Sequence, residues 1–229
     1  MKVTLSFEES IGDDVSIMVD ALRASTTITL ALNNFNRIIP CFSPEEAFEL
    51  KEKLGGVLAG ERGGKQVDGF DIGNTPAGIN DFESDEDTLI LTTSNGTRIL
   101  ENMNSKVLVG SMVNAKVVGE KSSEIATEHI DVVMAGVRSE FAIEDFLASG
   151  EILYWICKNL DKYELSEYAE AAILASRDYG SLRKAFMNSR SAKRLIELGY
   201  EDDVELCCLK NITENVAIYE NNELKLIKD

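Results

Sequence analysis

No stretch of the 229 residues comes near the ~20 consecutive apolar residues needed to cross a bilayer. The N-terminus, MKVTLSFEES, carries acids where a signal peptide would place its apolar run, so a cytoplasmic protein with no membrane partner is expected. Cations are also scarce. Lysine and arginine number 23 against 40 aspartates and glutamates, giving a formal net charge of −17. That balance repels a phosphate backbone and argues against a nucleic-acid partner.

Other absences remove whole chemistries. The four cysteines, Cys41, Cys157, Cys207 and Cys208, lack the paired spacing of a zinc site. An adjacent pair is a poor disulfide candidate, so reduced, mostly buried thiols are expected. A cysteine-type phosphatase needs an arginine six positions after its nucleophile; here those positions hold Ala47, Tyr163, Thr213 and Glu214. His129 is the only histidine, and it precedes a strand-like run at the end away from the other polar groups. It reads as a surface residue, which removes a Ser-His-Asp triad. Neither a nucleotide P-loop nor a Gly-x-Gly-x-x-Gly fingerprint is present. Asp20 follows a strand as an aspartyl-phosphate nucleophile would, but Leu22 stands where phosphatases of the haloacid dehalogenase type carry a second aspartate.

What is there is an alternation. Apolar runs 15–19, 37–42, 56–61, 87–94, 106–111 and 130–137 read as buried strands, each followed by a helix start. The helix from Pro44 has acids in its first turn and lysines in its last, which suits the helix dipole. Residues 161–199 are helix-patterned, with Gly199 as a cap; 203–209 reads as a strand, and NVAIYENNELKLI as a hairpin turning at Asn221 and Asn222. The expectation is one α/β domain over residues 1–229, with a largely parallel sheet flanked by helices and a C-terminal strand or hairpin addition. A homo-oligomer is compatible with this sequence.

The stretch SIMVDALRASTTITLALNN places an acid, a cation and three hydroxyls where a strand becomes a helix. It is not alone. In parallel sheets ligands bind beyond the carboxyl ends of strands. Asp20, Arg23, Ser25, Thr26 and Thr27 follow the first run; Glu61 and Arg62 follow the third, ahead of the glycine-rich GGKQVDGFDIGNTP. Thr92 to Arg98 (TTSNGTR) follow the fourth, Ser111 and Asn114 the fifth, and Arg138, Glu144 and Asp145 the sixth. Four of the nine arginines thus fall in these segments. Guanidinium forks match phosphate, sulfonate and carboxylate oxygens, and helix starts turn N–H groups toward anions. Singly, each segment reads equally well as a helix cap or a surface ion pair. Five together read as a site for a small, multiply anionic substrate.

Asp20, Glu61, Asp71, Glu144 and Asp145 would repel such a ligand unless a cation lies between them. Magnesium fits, since it takes hard oxygen ligands and bridges carboxylates to phosphate; simple pairing of these acids with the arginines fits as well. The residues between Glu61 and Pro76 are expected to form an ordered site loop, anchored by Phe70 and Ile72.

Taken together, VDALRASTTI, GERGGKQVDGFDIGNTP, LTTSNGTR, GSMVNA and EDFLASG resemble the 2-phosphosulfolactate phosphatases, in the same order and at similar spacing. The resemblance covers most of residues 15–150 and continues more weakly through SRSAKRLIELGYEDDVELC. It implies magnesium-dependent hydrolysis of (2R)-phosphosulfolactate to sulfolactate and phosphate, a step of coenzyme M biosynthesis. On that reading Asp20, Glu61 and Arg62 are catalytic. Arg23, Ser25, Thr26, Thr27, Asn74, Asn95, Gly96, Thr97, Arg98, Asn114 and Arg138 bind substrate, and the metal ligands come from Asp20, Glu61, Asp71, Glu144 and Asp145. The chain departs from the family pattern near its end, with Asn211 in LKNITENVAIY and no proline there. The same anion clamps would also serve an isomerase or lyase on another phosphorylated hydroxy acid, or a non-catalytic anion-binding module.

Overall fold

The computed structural model describes residues 1–94, 99–100 and 103–227. Its elements begin with β1 (Lys2–Phe7), β2 (Val15–Val19), α1 (Ala24–Ala31), β3 (Arg37–Cys41), α2 (Pro44–Leu54), β4 (Val57–Arg62) and β5 (Lys65–Gln66). They continue with α3 (Pro76–Asn80), β6 (Thr88–Thr92), β7 (Lys106–Val109), α4 (Ala115–Ile125), β8 (His129–Met134), α5 (Ile143–Asn159) and β9 (Glu164–Leu165). The last are α6 (Glu167–Ser176), α7 (Tyr179–Met187), α8 (Arg190–Glu197), α9 (Glu201–Cys207), β10 (Ala217–Glu220) and β11 (Glu223–Leu226).

The strands form one sheet in the order β5-β4-β6-β3-β11-β10-β7-β2-β8-β1-β9. β4, β6 and β3 are mutually parallel, as are β7, β2, β8, β1 and β9. The C-terminal hairpin runs antiparallel between these two blocks, β10 against β7 and β11 against β3, and so joins them into a single sheet. Its two-residue turn is Asn221-Asn222, with φ of 52° and 63°. Asparagine tolerates this left-handed geometry, which the twist of a tight hairpin demands.

The period-2 pattern of the strands divides the core. Ile17 and Val19 of β2 pack into the cluster built with α4 through α9, while Met18 between them joins the cluster with Ile28 of α1 and Leu89 of β6. Both faces of the central strands are therefore covered by helices, which is why these runs read as continuously apolar. α5 and α6 approach so closely that a Cβ on Gly150 would lie 2.1 Å from the Ala172 carbonyl oxygen. Among the described residues, no helix is long and apolar enough to cross a membrane. All four cysteines are free thiols, three of them buried.

Three features differ from the sequence expectations. Residues 203–209 are not a strand: Glu201–Cys207 is helix α9, started by three acids in its first turn, with Val204 and Cys207 facing the core three positions apart. A short apolar run cannot by itself distinguish these two states. β1 is an additional strand, with Val3 and Leu5 in the core on either side of the polar Thr4. His129 is not a surface residue but is buried at the start of β8, because β1 brings Thr4 against its ring, with 2.7 Å between Thr4 Oγ1 and Nε2.

Candidate active site

A cavity of about 570 Å³ opens at the carboxyl ends of the parallel strands. The loop after β2 contributes Asp20 and Arg23, the β4–β5 hairpin Glu61, Gly63 and Gly64, and the segment before α3 Asn74. Thr93 and Ser94 come from the end of β6, Arg138 and Glu140 from the loop after β8, and Arg190 and Arg194 from α8.

The acidic side of this cavity is built on backbone amides. Glu61 Oε2 accepts from Gly64 N–H at 2.7 Å and Oε1 from Ser94 N–H at 2.8 Å, which pins the carboxylate between two loops. Gly63 and Gly64 form the turn between Arg62 and Lys65, both at positive φ (62° and 87°), a conformation glycine adopts without strain. Asp20 is buried, and its carboxyl is pushed up to about 7, first by burial and then by the neighbouring charge of Glu61, against the lowering effect of the Ala24 N–H. Glu144 adds to that repulsion from behind. Asp145 lies beside them, accepting from Ala21 N–H at 2.8 Å and Gly136 N–H at 2.9 Å. It thereby ties the loop after β2 to the loop after β8, and burial raises its carboxyl well above the usual range.

The hydroxyls of the opening stretch serve the strand–helix junction. Ser25 Oγ accepts from Asp20 N–H at 2.8 Å, and Thr26 donates to Ala21 O at 3.1 Å. Ser25, Thr26 and Thr27 are wholly buried and none lines the cavity. Arg23 does line it, but its guanidinium is committed: Nη1 donates to Asp203 at 2.8 Å, Nη2 to Gly64 O at 2.9 Å, and the group lies 4.5 Å from the centre of the Tyr200 ring.

Several expected residues sit elsewhere. Arg62 donates to Glu61 O and Phe42 O, both at 2.6 Å, and to Thr92 Oγ1 at 2.8 Å, stapling β4 to its surroundings outside the cavity lining. Asn114 is fully buried, holding Val109 O, Asn215 O and Ser111 N–H. Asp71 is half-exposed, paired with Lys51 at 2.6 Å and with Leu58 N–H at 2.7 Å, which lowers its carboxyl pKa. Asn95, Gly96, Thr97 and Arg98 lie outside the described residues. The structure thus gathers Asp20, Glu61, Arg23, Asn74 and Arg138 at the cavity, backs them with Glu144 and Asp145, and leaves Arg62, Ser25, Thr26, Thr27, Asn114 and Asp71 off its lining.

Asn74 is 4% exposed, and its Oδ1 is buried with no hydrogen-bond partner among the described residues. A buried carbonyl oxygen left this way points to something that binds it. Among the described residues, no three histidine, cysteine, aspartate or glutamate side chains stand together as a ready metal site. Side chains carrying hard-oxygen atoms among the cavity-lining residues are Asp20, Glu61, Asn74, Thr93, Ser94, Glu140 and Ser191, of which Asp20 and Glu61 are buried carboxylates.

The profile of the family described as 2-phosphosulpholactate phosphatase matches residues 2–222. The chain is 47% identical over 229 residues to the 2-phosphosulfolactate phosphatase of Methanothermobacter thermautotrophicus, an alignment covering all of this chain and 97% of that protein. It belongs to the 2-phosphosulfolactate phosphatase family. The protein of that name from Methanocaldococcus jannaschii is 34% identical over 232 positions, covering 97% and 96% of the two chains. A probable 2-phosphosulfolactate phosphatase of Clostridium acetobutylicum is 34% identical over 222 residues, covering 95% and 94%.

The span shared with the 2-phosphosulfolactate phosphatase family takes in α8 and α9, whose site residues the sequence reading passed over. Arg190 and Arg194 stand one helical turn apart, a spacing visible in SRSAKR that puts both on one face. Asp203, the partner of Arg23, was obscured by reading its segment as a strand.

Proposed function

We propose that this protein hydrolyses the phosphate ester of (2R)-phosphosulfolactate, releasing sulfolactate and inorganic phosphate in coenzyme M biosynthesis, with magnesium as cofactor. The observation that carries the reading is the cavity, where buried acids and exposed arginines meet at the strand ends in a member of this phosphatase family. A substrate bearing phosphate, sulfonate and carboxylate needs that combination.

The donor set fits magnesium. Asp20 and Glu61 are two buried carboxylates whose mutual repulsion Arg23 offsets in part, and Asn74, which lines the same cavity, has a buried Oδ1 with no hydrogen-bond partner among the described residues. These three residues would hold the ion, which when bound would neutralise the acids and draw charge from the phosphoryl oxygens. Glu61 keeps its orientation through its two amide bonds, and Asp145, holding the amides of Ala21 and Gly136, ties the backbone just after Asp20 to the loop after β8. In the reaction a water oxygen bonds to phosphorus as the ester P–O bond breaks. One water proton goes to the departing hydroxyl of sulfolactate.

The test is phosphate release from phosphosulfolactate, with magnesium present and then chelated, beside simple phosphate esters. Magnesium-dependent release selective for phosphosulfolactate is expected. Consumption of substrate without free phosphate would replace the reading with an isomerase or lyase, and absence of turnover with any divalent metal would leave an anion-binding module.

A further inference from the structure

The cavity is polarised. Its acids Asp20 and Glu61 stand at the strand ends, whereas Arg190 and Arg194 enter from α8, which closes over it. The first turn of α8 meets the loop after β8 at the ion pair of Arg190 with Glu140, both side chains more than half exposed. Its far end packs on the β4–β5 turn, where Leu195 and Leu198 lie within reach of a Cβ on Gly64. Ala192 and Leu195 are buried on the underside of α8, so the helix is held in place while Arg190, paired with Glu140, and Arg194 stay exposed.

Three guanidinium groups line this side, those of Arg138, Arg190 and Arg194; Arg190 is paired with Glu140, both side chains being more than half exposed. Among the described residues Arg194 pairs with Glu197 at 3.8 Å, with both side chains more than half exposed, a pair too loose and too wet to hold it. Arg138 sits in a loop where it and Ser139 both adopt positive φ, 52° and 60°. Two successive non-glycine residues in that region are costly and mark a segment held in place by its surroundings. Arg23, by contrast, is already neutralised by Asp203.

We propose that Arg190 and Arg194 are specificity-determining residues that receive the non-reacting acid groups of the substrate, the sulfonate above all. The inference rests on the reading above, in which the phosphate is drawn to the acid-and-metal side, and it sets the orientation of the ligand. Phosphate faces Asp20, Glu61 and Asn74, and the sulfonate end faces α8. A tetrahedral sulfonate oxyanion accepts paired N–H donors from a guanidinium fork, and an uncharged substituent at that place offers nothing in return.

The experiment is a calorimetric titration of sulfolactate, and separately of lactate, into wild type, R190Q, R194Q and E140Q. Sulfolactate carries the proposed contact group and no phosphate, so its binding reports this end of the cavity without turnover. The expected result is that R190Q and R194Q each bind sulfolactate at least about tenfold more weakly than wild type, as loss of a charge-assisted pair implies. E140Q, which frees Arg190 without removing it, should bind within a few-fold of wild type, and lactate should bind weakly and equally to all four. Equal sulfolactate affinity in wild type and R194Q, or no binding to wild type, would overturn the assignment; an E140Q loss matching that of R190Q would reduce Arg190 to a loop anchor. A wild type that binds sulfolactate through these arginines yet releases no phosphate from phosphosulfolactate would sink the hydrolytic reading alone.

Discussion

Arg23 and Asp203 form an ion pair at 2.8 Å with both side chains about 2–3% exposed, joining the loop after β2 to the first turn of α9. Asp203 also accepts from Thr75 Oγ1 at 2.7 Å and Ala77 N–H at 3.0 Å, so a single carboxylate ties α9 to the loop after β2 and to the start of α3. Arg23 in turn fixes Gly64 O, beside the amide that orients Glu61. The pair positions the site more than it offers charge to a ligand.

Breaking one half of such a pair leaves the other charge buried and unpaired, which costs about 3–5 kcal/mol. D203N is therefore expected to lose roughly 3 kcal/mol of unfolding free energy in urea. The R23M/D203N double variant should lose less than the two single losses added, because no orphaned charge remains. Additive losses in that cycle would mean that the two groups are not coupled.

Asp20 predicts a pH dependence for the metal-stripped protein. Its carboxyl moves from 3.8 in the unfolded chain to about 7 in the folded one, because burial and then Glu61 disfavour the charge. The folded state therefore holds a proton that the unfolded state has lost, and stability falls as pH rises between those two values. Above about 7 the penalty is complete, at most roughly 4 kcal/mol by the usual conversion. In chelator, D20N should be more stable than wild type at pH 8, with the gap closing toward pH 4. Magnesium at a hundredfold over its Kd should return about 2.7 kcal/mol to wild type at pH 8 and much less to D20N. An equal magnesium response in both proteins would remove Asp20 from the metal set.

How far the site could be read in advance depended on what each residue touches. The strand-end rule named Asp20, Glu61, Asn74 and Arg138, which the structure brings to one cavity, since that rule rests on the topology of parallel sheets rather than on side-chain detail. It could not tell a residue facing the ligand from one facing its own backbone. Ser25, Thr26 and Asn114 carry the chemistry of anion ligands, yet their bonds close the junctions after β2 and β7. Arg190 and Arg194 were beyond the rule altogether, because they reach the cavity from a helix more than 120 residues further along the chain than Glu61. In the same way, alternation predicted the parallel blocks and the Asn221-Asn222 turn, but nothing local says that the hairpin inserts between the blocks rather than adding to an edge.

Arg62 tests the distinction between holding the site and lining it. Its guanidinium serves two backbone carbonyls and Thr92, so R62A leaves those acceptors without their charged donor. The expected loss is about 1.5–3 kcal/mol of stability, seen as a lower melting temperature, with KM for phosphosulfolactate within about threefold of wild type. A tenfold rise in KM at unchanged melting temperature would instead bring Arg62 into contact with substrate.

His129 provides a pH test far from the cavity. Thr4 Oγ1 has one proton and donates it to Asp131 at 2.6 Å, so the 2.7 Å contact with His129 requires the ring to donate from Nε2. Nδ1 faces Gly12, 2.8 Å from where a Cβ on that glycine would lie, and burial, followed by the charge of Lys2, lowers the ring's pKa below 6.5. The unfolded chain then binds a proton that the folded protein refuses, so this contribution to stability is complete above 6.5 and is lost as pH falls below it. H129Q keeps a donor toward Thr4 but cannot titrate. Urea unfolding of the two proteins between pH 5 and 7.5 should show wild type losing stability relative to H129Q on the acid side, while their difference stays constant above neutrality. A difference independent of pH would show that the ring takes up its proton as readily in the fold as in the unfolded chain.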